Sequence, residues 1–219
     1  MFQAKGIAKA NNLNYYKSLN PVRHMEITYV TTNKGKVSSL SRHLLPYGIS
    51  VVQKPIDLPE PRDDNVEVIA KHKAFFAYSI LKEPLVVLDA GFYVKSLNGF
   101  PKAFVNFALD TIDIGGILKL VEGKERECEF KHCLAYIDGT LTQPVLFVSS
   151  VKGIIAQQSR GKMQDHLWSK LGLIFIPEHG NRTLAEMSKE EYDAFWKDYP
   201  GEVSCQEKFG EWYFNQMKQ

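Results

Sequence analysis

The chain has 219 residues, 44% of them hydrophobic, which is enough for a core in one large domain or two closely packed lobes. The net charge is +2 and the basic residues are not clustered, so we expect no nucleic-acid partner. No apolar run is long enough to span a bilayer, which argues against a membrane partner. Three cysteines without a CxxC pair favour a reducing compartment, and we expect a cytoplasmic protein.

Residues 1–24 differ from the rest of the chain because they show no clear hydrophobic period. They also lack the apolar core and the cleavage site of a signal peptide. We interpret them as an N-terminal extension, or as a leader foreign to the domain, with a native N-terminal helix as the alternative. Residues 25–219 are then predicted to form a single domain.

The first half of that domain alternates between strand and helix patterns. Strands are predicted at 27–30, 49–53 and 85–88, with amphipathic helices between them. Asp64 and Glu67 have the spacing of a capping box at the start of the second helix. This order is typical of an α/β fold.

The second half begins with helices and then changes to strands. One or two short helices are predicted over residues 104–120, with a junction at Gly115-Gly116. Alternating apolar residues then predict an antiparallel hairpin whose turn contains Asp138-Gly139. Two helices follow toward the C-terminus, the first begun by a capping box of Ser188 and Glu191.

Two stretches carry candidate chemistry. Val86-Val87-Leu88-Asp89-Ala90-Gly91 ends a buried strand with a carboxylate, which a cation would compensate, and Gly91 permits close approach of a ligand. Thr31-Thr32-Asn33-Lys34-Gly35-Lys36 joins a strand to a helix whose N-terminus suits phosphate. Taken alone, the first also fits a simple Asx turn and the second an ordinary capped helix.

Taken in order, the motifs resemble those of the inosine triphosphate pyrophosphatases, which remove non-canonical purine nucleoside triphosphates. Residues 31–36 are similar to that family's Thr/Ser-x-Asn-x-x-Lys, and residues 56–60 to its second conserved loop. Residues 89–91 and 97–101 follow its Asp-Ser/Thr-Gly and Leu-Asn-Gly-x-Pro-Gly elements. Thr-Leu-Ala-Glu-Met-Ser at 183–188 follows its C-terminal half, so the likeness covers most of the chain.

The resemblance implies a long central mixed β-sheet flanked by helices, with two lobes and an active site in the cleft between them. It also implies a homodimer, Mg²⁺, and hydrolysis of a nucleoside triphosphate to the monophosphate and pyrophosphate. Glu60 and Asp89 are then the metal ligands, and Asp89 and Lys36 are catalytic, since one can activate water and the other neutralise phosphate charge. The predicted substrate-binding residues are Thr31, Asn33, Lys36, Phe104, Arg160, Trp168 and Lys197.

The sequence also departs from the family. Leu88, Ala90 and Lys102 replace an acid, a Ser/Thr and a Gly. The family's Phe-Gly-Trp/Tyr-Asp-Pro base-pocket motif is replaced by residues 166–173, and its Ser-His-Arg is missing, with Trp196-Lys197-Asp198 in roughly that place. Because a base edge is read by a few directed hydrogen bonds, we predict an altered base preference. The protein should not separate inosine or xanthosine triphosphate from adenosine or guanosine triphosphate as the family does.

Functions of different classes therefore remain open. The first is a Mg²⁺-dependent nucleoside triphosphate pyrophosphatase with altered base preference, favoured by Lys36, Glu60 and Asp89. The second is a nucleotide-binding sensor or scaffold without turnover, favoured by the changes at 88, 90 and 102. A dimeric structural partner is the third.

Overall fold

The structure is a computed structural model that describes residues 25–218, so the prediction for residues 1–24 lies outside the described residues. Its strands are β1 Met25–Val30, β2 Ile49–Lys54, β3 Leu85–Val94, β4 Pro101–Lys102, β5 Glu127–Ile137, β6 Val145–Ile155 and β7 Phe175–Pro177. Its α-helices are α1 Lys34–Leu44, α2 Val66–Leu81, α3 Val105–Leu120, α4 Lys189–Lys197 and α5 Cys205–Gln216. None of the helices within residues 25–218 is long and apolar enough to cross a bilayer.

All of these strands belong to one seven-stranded sheet with the order β2-β1-β3-β5-β6-β7, and β4 pairs with β3 beside it. Strand β1 is parallel to β2 and β3, whereas the pairs from β3 through β7 are antiparallel. The predicted α/β fold with a long mixed sheet is thus confirmed. The switch from parallel to antiparallel pairing falls at β3, the strand that carries Asp89.

Apolar clusters pack the sheet on both faces. Helices α1 and α5 cover one face through residues such as Leu40 and Phe209, and α2 covers the other through Ala70 and Ala74. A third cluster lies beneath α3 and the segment before β7, and it forms the core of the second lobe. The cleft between the lobes lies over the middle of β3, where Asp89, Ala90 and Gly91 line it. The predicted strand end at Leu88 is therefore wrong, because Asp89 to Val94 stay paired with β5.

Two local predictions needed correction. The cap of α2 is Asn65, whose side chain accepts a hydrogen bond from the Glu67 N–H, while Asp64 pairs with Lys102 instead. The break in α3 falls at Asp113, which has φ 49° and ψ −171°, and not at Gly115-Gly116. Gly116 still permits the break, because a Cβ there would lie 2.5 Å from the Cβ of Ile112. The Ser188 and Glu191 capping box of α4 is confirmed.

Candidate active site

A cleft of about 310 Å³ lies between the lobes, and Asn33, Lys36, Glu60 and Asp89 all line it. The residues come from separate elements: the start of α1, the proline-rich loop before α2, and strand β3. The structure therefore brings the two predicted motifs and the glutamate of the proline-rich loop to one place. Their catalytic and metal-binding roles stay predictions.

Asn33 caps α1 and organises the phosphate-type turn. Its Oδ1 accepts a hydrogen bond from the Lys36 N–H (3.1 Å), and its own N–H donates to Thr31 Oγ1 (3.1 Å). Its amide nitrogen donates to the Trp168 carbonyl in the other lobe (3.4 Å). Lys36 then reaches over the sheet so that its Nζ donates to the Leu88 carbonyl (3.1 Å). The turn thus aims one lysine at the middle of β3, next to Asp89.

A lysine that the sequence motifs do not include completes this group. Lys73 of α2 donates from Nζ to Glu60 Oε1 (2.8 Å) and to Asp89 Oδ1 (3.2 Å). The side chain of Asp89 is 9% exposed, that of Lys73 13%, and that of Glu60 57%. We call Lys36, Glu60, Lys73 and Asp89 the charged cluster. Lys73 lies among the positions of α2 that face the sheet, where the helical period places apolar residues. A lysine at such a position is the one feature of the sequence that could have identified it as a site residue.

Burial sets the protonation of the charged cluster. It lowers the pKa of Lys36 to about 8, although the negative charge of Asp89 opposes that effect. It also raises the pKa of Asp89 above its usual value of 3.8, against the attraction of Lys73 and Lys36. Burial acts to lower the pKa of Lys73 as well, but Asp89 and Glu60 outweigh it and the pKa is raised. Asp89 is therefore a better proton acceptor than an exposed aspartate.

The carboxylates of the cleft can be compared with the needs of Mg²⁺. Among residues 25–218 no group of three or more His, Cys, Asp or Glu side chains is placed to hold a metal. Mg²⁺ needs fewer, since it is commonly held by one or two carboxylates together with phosphates and water. Glu60 and Asp89 converge on a single cationic point, the Nζ of Lys73. Two carboxylate oxygens that share one cation fit Mg²⁺ by both charge and ligand type.

Uncharged polar side chains line another part of the cleft. The register of β3, β5 and β6 pairs Ala90 with His132 and His132 with Ser149, so the three form a row across the sheet. Gln206, in the first turn of α5, also lines the cleft. We call His132, Ser149 and Gln206 the neutral region. Trp168 borders it, with its ring centroid 5.4 Å from that of His132 in an edge-on contact.

The remaining predicted substrate residues fall into two groups. Trp168 and Lys197 line the cleft together with Asn33 and Lys36. Thr31 supports Asn33 from behind and is not among the lining residues. Arg160 pairs with Glu186 (3.0 Å), and Phe104 is the residue before α3 and 43% exposed. The structure does not bring Arg160 or Phe104 to the cleft wall.

The backbone at Gly91 is closely approached, as predicted, but by Lys102 of β4 where the prediction had a ligand. A Cβ at this position would lie 2.8 Å from the Lys102 carbonyl oxygen, so a larger residue would push β4 away from β3. Lys102 itself has φ 58°, a left-handed conformation that favours glycine. A lysine therefore adopts this left-handed conformation here, and its ammonium pairs with Asp64.

Comparison with known proteins agrees with this architecture. Residues 27–196 match the Ham1 family. A dITP/XTP pyrophosphatase of Methanopyrus kandleri is 35% identical over 196 residues, covering 88% of this chain and 98% of that protein. A dITP/XTP pyrophosphatase of Saccharolobus solfataricus is 36% identical over 174 residues, covering 79% and 88%.

Solved structures show the same fold. A HAM1 protein from Coxiella burnetii superposes with a TM-score of 0.69 at 20% identity, covering 89% of this chain and 98% of that chain. A nucleoside-triphosphatase / dITP/XTP pyrophosphatase from Mycobacterium abscessus gives a TM-score of 0.62 at 24% identity, covering 79% and 94%. The fold, the cleft and the matched residues together define a class of proteins, the nucleoside triphosphate pyrophosphatases, which are hydrolases of a phosphate anhydride bond. The chain belongs to the Ham1 family, and the predicted resemblance is confirmed.

Proposed function

We propose that this protein is a Mg²⁺-dependent nucleoside triphosphate pyrophosphatase whose base preference differs from that of its dITP/XTP-named relatives. The observation that carries the proposal is the charged cluster, in which Glu60 and Asp89 share one cation while Lys36 reaches the Leu88 carbonyl beside Asp89. A cluster of this kind suits a polyanion that brings its own divalent cation. The family membership supports the same reaction class.

The proposed reaction breaks the anhydride bond between the α- and β-phosphates. The oxygen of a water molecule bonds to phosphorus, and the products are a nucleoside monophosphate and pyrophosphate. Bound Mg²⁺ would reduce the negative charge on the phosphate oxygens, with Glu60 and Asp89 holding it. Asp89 accepts the proton of the water, a role that its raised pKa favours. Lys36 and the helix N-terminus at Asn33 bind the phosphates.

The altered base preference is supported by the residues that line the cleft outside the charged cluster, where the base of the nucleotide would lie. Where the family carries an acidic base-pocket motif, Ser169 and Gly172 line the cleft, while Lys170 pairs with Asp113 instead (3.4 Å). Lys197 also lines the cleft, but a lysine on a flexible stem gives poor directional selectivity. We therefore expect guanosine triphosphate to be hydrolysed along with the inosine and xanthosine forms.

Pyrophosphate release from inosine, xanthosine, guanosine, adenosine and pyrimidine triphosphates, each with Mg²⁺ under one condition, tests the proposal. We expect turnover that is abolished by chelation of the metal and rates for guanosine and inosine triphosphate within about tenfold of each other. A strong preference for the inosine and xanthosine forms over guanosine triphosphate would contradict the altered preference. Tight nucleotide binding without turnover would favour the sensor or scaffold, for which the replacements at Leu88 and Ala90 are the supporting observation.

We also propose that the protein is a homodimer, as the resemblance implies. The outer face of α2 supports this, since Val68, Phe75, Phe76 and Ile80 are each more than a third exposed on that single helix. Sedimentation velocity at micromolar concentration checks the proposal. A monomer at all concentrations would contradict it.

A further inference from the structure

Lys102 has a backbone conformation that a lysine rarely adopts. Its φ is 58°, in the left-handed region, where a Cβ is costly and a glycine is not. Its neighbours allow little relaxation, because its N–H donates to the Gly99 carbonyl (2.9 Å) and its own carbonyl oxygen would lie 2.8 Å from a Cβ at Gly91. Strained residues of this kind cluster at functional sites, so a task for the lysine side chain is expected.

The Lys102 side chain reaches the proline-rich loop, residues 55–65, which joins β2 to α2. Its ammonium pairs with the Asp64 carboxylate, and the Asp64 carbonyl accepts a hydrogen bond from the Tyr93 hydroxyl (3.1 Å). Tyr93 lies on β3 and Lys102 on β4, so two adjacent strands hold the same residue of the loop. The side chains of Lys102 and Asp64 are 39% and 51% exposed, and exposed ion pairs add little to stability. The pair therefore acts on the position of the loop more than on the stability of the fold.

Glu60 lies in this loop between two points of attachment. On one side Leu58 is buried and packs in the apolar cluster beneath α2. On the other side Asp64 has the two contacts just described. The Glu60 side chain is 57% exposed, and its hydrogen bond to Lys73 (2.8 Å) is to a group that the proposed metal would displace. The distance between Glu60 and the buried Asp89 therefore depends on how firmly the loop is held at Asp64.

We propose that Lys102 is a positioning residue, which holds the proline-rich loop through Asp64 so that Glu60 and Asp89 can bind one metal ion together. The proposal rests on the proposed function, because it concerns the same Mg²⁺ ligands. It also changes the meaning of one departure from the family, since the replacement of glycine by lysine at 102 adds a contact to the site. The replacement is then compatible with turnover, whereas the sequence alone counts it in favour of a sensor or scaffold.

The test compares the unmodified protein with Lys102→Gly, which removes the ammonium and suits the left-handed backbone. Hydrogen exchange of residues 55–65 is measured as Mg²⁺ is added, together with the Mg²⁺ concentration that gives half-maximal hydrolysis of inosine triphosphate. We expect exchange of the loop to be faster in metal-free Lys102→Gly, and both Mg²⁺ midpoints to rise by about tenfold. The free energy of unfolding in urea should not fall, because the relieved strain offsets the lost ion pair.

Two further variants separate the position of the loop from backbone strain. Asn98→Gly is the matched control, since Asn98 also has a left-handed φ, 54°, and lines a separate recess beside Leu120. It should leave the loop exchange and both midpoints unchanged. Asp64→Asn removes the same ion pair from the loop side, so it should raise the midpoints as Lys102→Gly does, and combining the two should raise them no further.

The outcomes separate this proposal from the proposed function. If the unmodified protein hydrolyses no triphosphate, the proposed function fails, and the Mg²⁺ dependence of loop exchange alone decides the role of Lys102. If turnover is present but Lys102→Gly and Asp64→Asn match Asn98→Gly in exchange and midpoints, the role of Lys102 is overturned while the proposed function stands. A fall in the free energy of unfolding at unchanged midpoints would show a structural role only and would also overturn it. Should Lys102→Gly fail to fold, Asp64→Asn decides the question in the same way.

Discussion

The charged cluster and the neutral region lie in one cleft, but they are built in different ways. The charged cluster gathers Glu60 and Asp89 around one lysine ammonium, with exposures from 9% to 57%. The neutral region is a set of uncharged side chains held by the register of three strands and the first turn of α5. The charged cluster can be partly exposed because it recognises its ligand by charge. The neutral region must be buried because it recognises its ligand by the direction of hydrogen bonds. We infer that chemistry and base selection can therefore be altered separately.

The largest effect should come from Asp89→Asn. The amide keeps the shape of the side chain but loses the charge that holds Mg²⁺ and the basicity that accepts a proton. We expect kcat to fall by at least about 100-fold, with the fold retained. Asp110→Asn, on the exposed surface of α3, is the control and should keep full activity. Full activity in Asp89→Asn would rule out the assigned role.

The next prediction concerns Lys36, which we expect to lower the stability of the fold although it is needed for turnover. The pKa of Lys36 is about 8 in the folded protein against 10.5 ordinarily, so the unfolded chain binds this proton more tightly. This difference destabilises the folded protein fully below pH 8, and the destabilisation disappears as the pH rises past 10.5. The free energy of unfolding should therefore increase with pH across that window. Lys36→Met should stabilise the protein by about 1–3 kcal/mol at pH 7 while abolishing turnover. Urea unfolding at pH 7 and pH 10 measures this, and a destabilised variant at pH 7 would contradict the account.

A third prediction addresses Trp168 at the border of the neutral region. If the indole stacks on the base, Trp168→Ala should raise KM about tenfold and change kcat little, since stacking of one base on an aromatic ring contributes roughly 1–3 kcal/mol. Trp168→Phe should recover most of the affinity because it keeps an aromatic face. A fall in kcat at unchanged KM would instead tie Trp168 to the chemical step.

The smallest effect should be seen at Lys73. This lysine occupies the position between Glu60 and Asp89 that the proposed metal would share, so it competes with Mg²⁺ in the free protein. We expect Lys73→Gln to bind Mg²⁺ several-fold more tightly without nucleotide, as measured by calorimetry, with Lys71→Gln on the exposed side of α2 as the control. Weaker binding in Lys73→Gln would mean that Lys73 supports the metal site.

The same contrast explains how much the sequence can predict. Asn33, Lys36, Glu60 and Asp89 stand in short contiguous motifs, so local pattern and family resemblance are enough to locate them. Lys73 is isolated on a helix, and only its position in the buried stripe of α2 indicates a role.

The neutral region is harder to predict because its members are far apart in the chain. His132, Ser149 and Gln206 meet through strand register and the docking of α5, and neither property can be obtained from one sequence. Order along the chain instead points to Trp196-Lys197-Asp198 as the base-reading segment. Two of the buried polar residues of the cleft, Ser149 and Gln206, lie on β6 and α5, which no local pattern marks as part of a site.

The most direct test of the account is the identity of the products formed from guanosine triphosphate with Mg²⁺, resolved by anion-exchange chromatography. Cleavage between the α- and β-phosphates by the charged cluster predicts guanosine monophosphate and pyrophosphate in equal amounts, with neither formed by Asp89→Asn. Guanosine diphosphate and orthophosphate, or bound but uncleaved nucleotide, would contradict it.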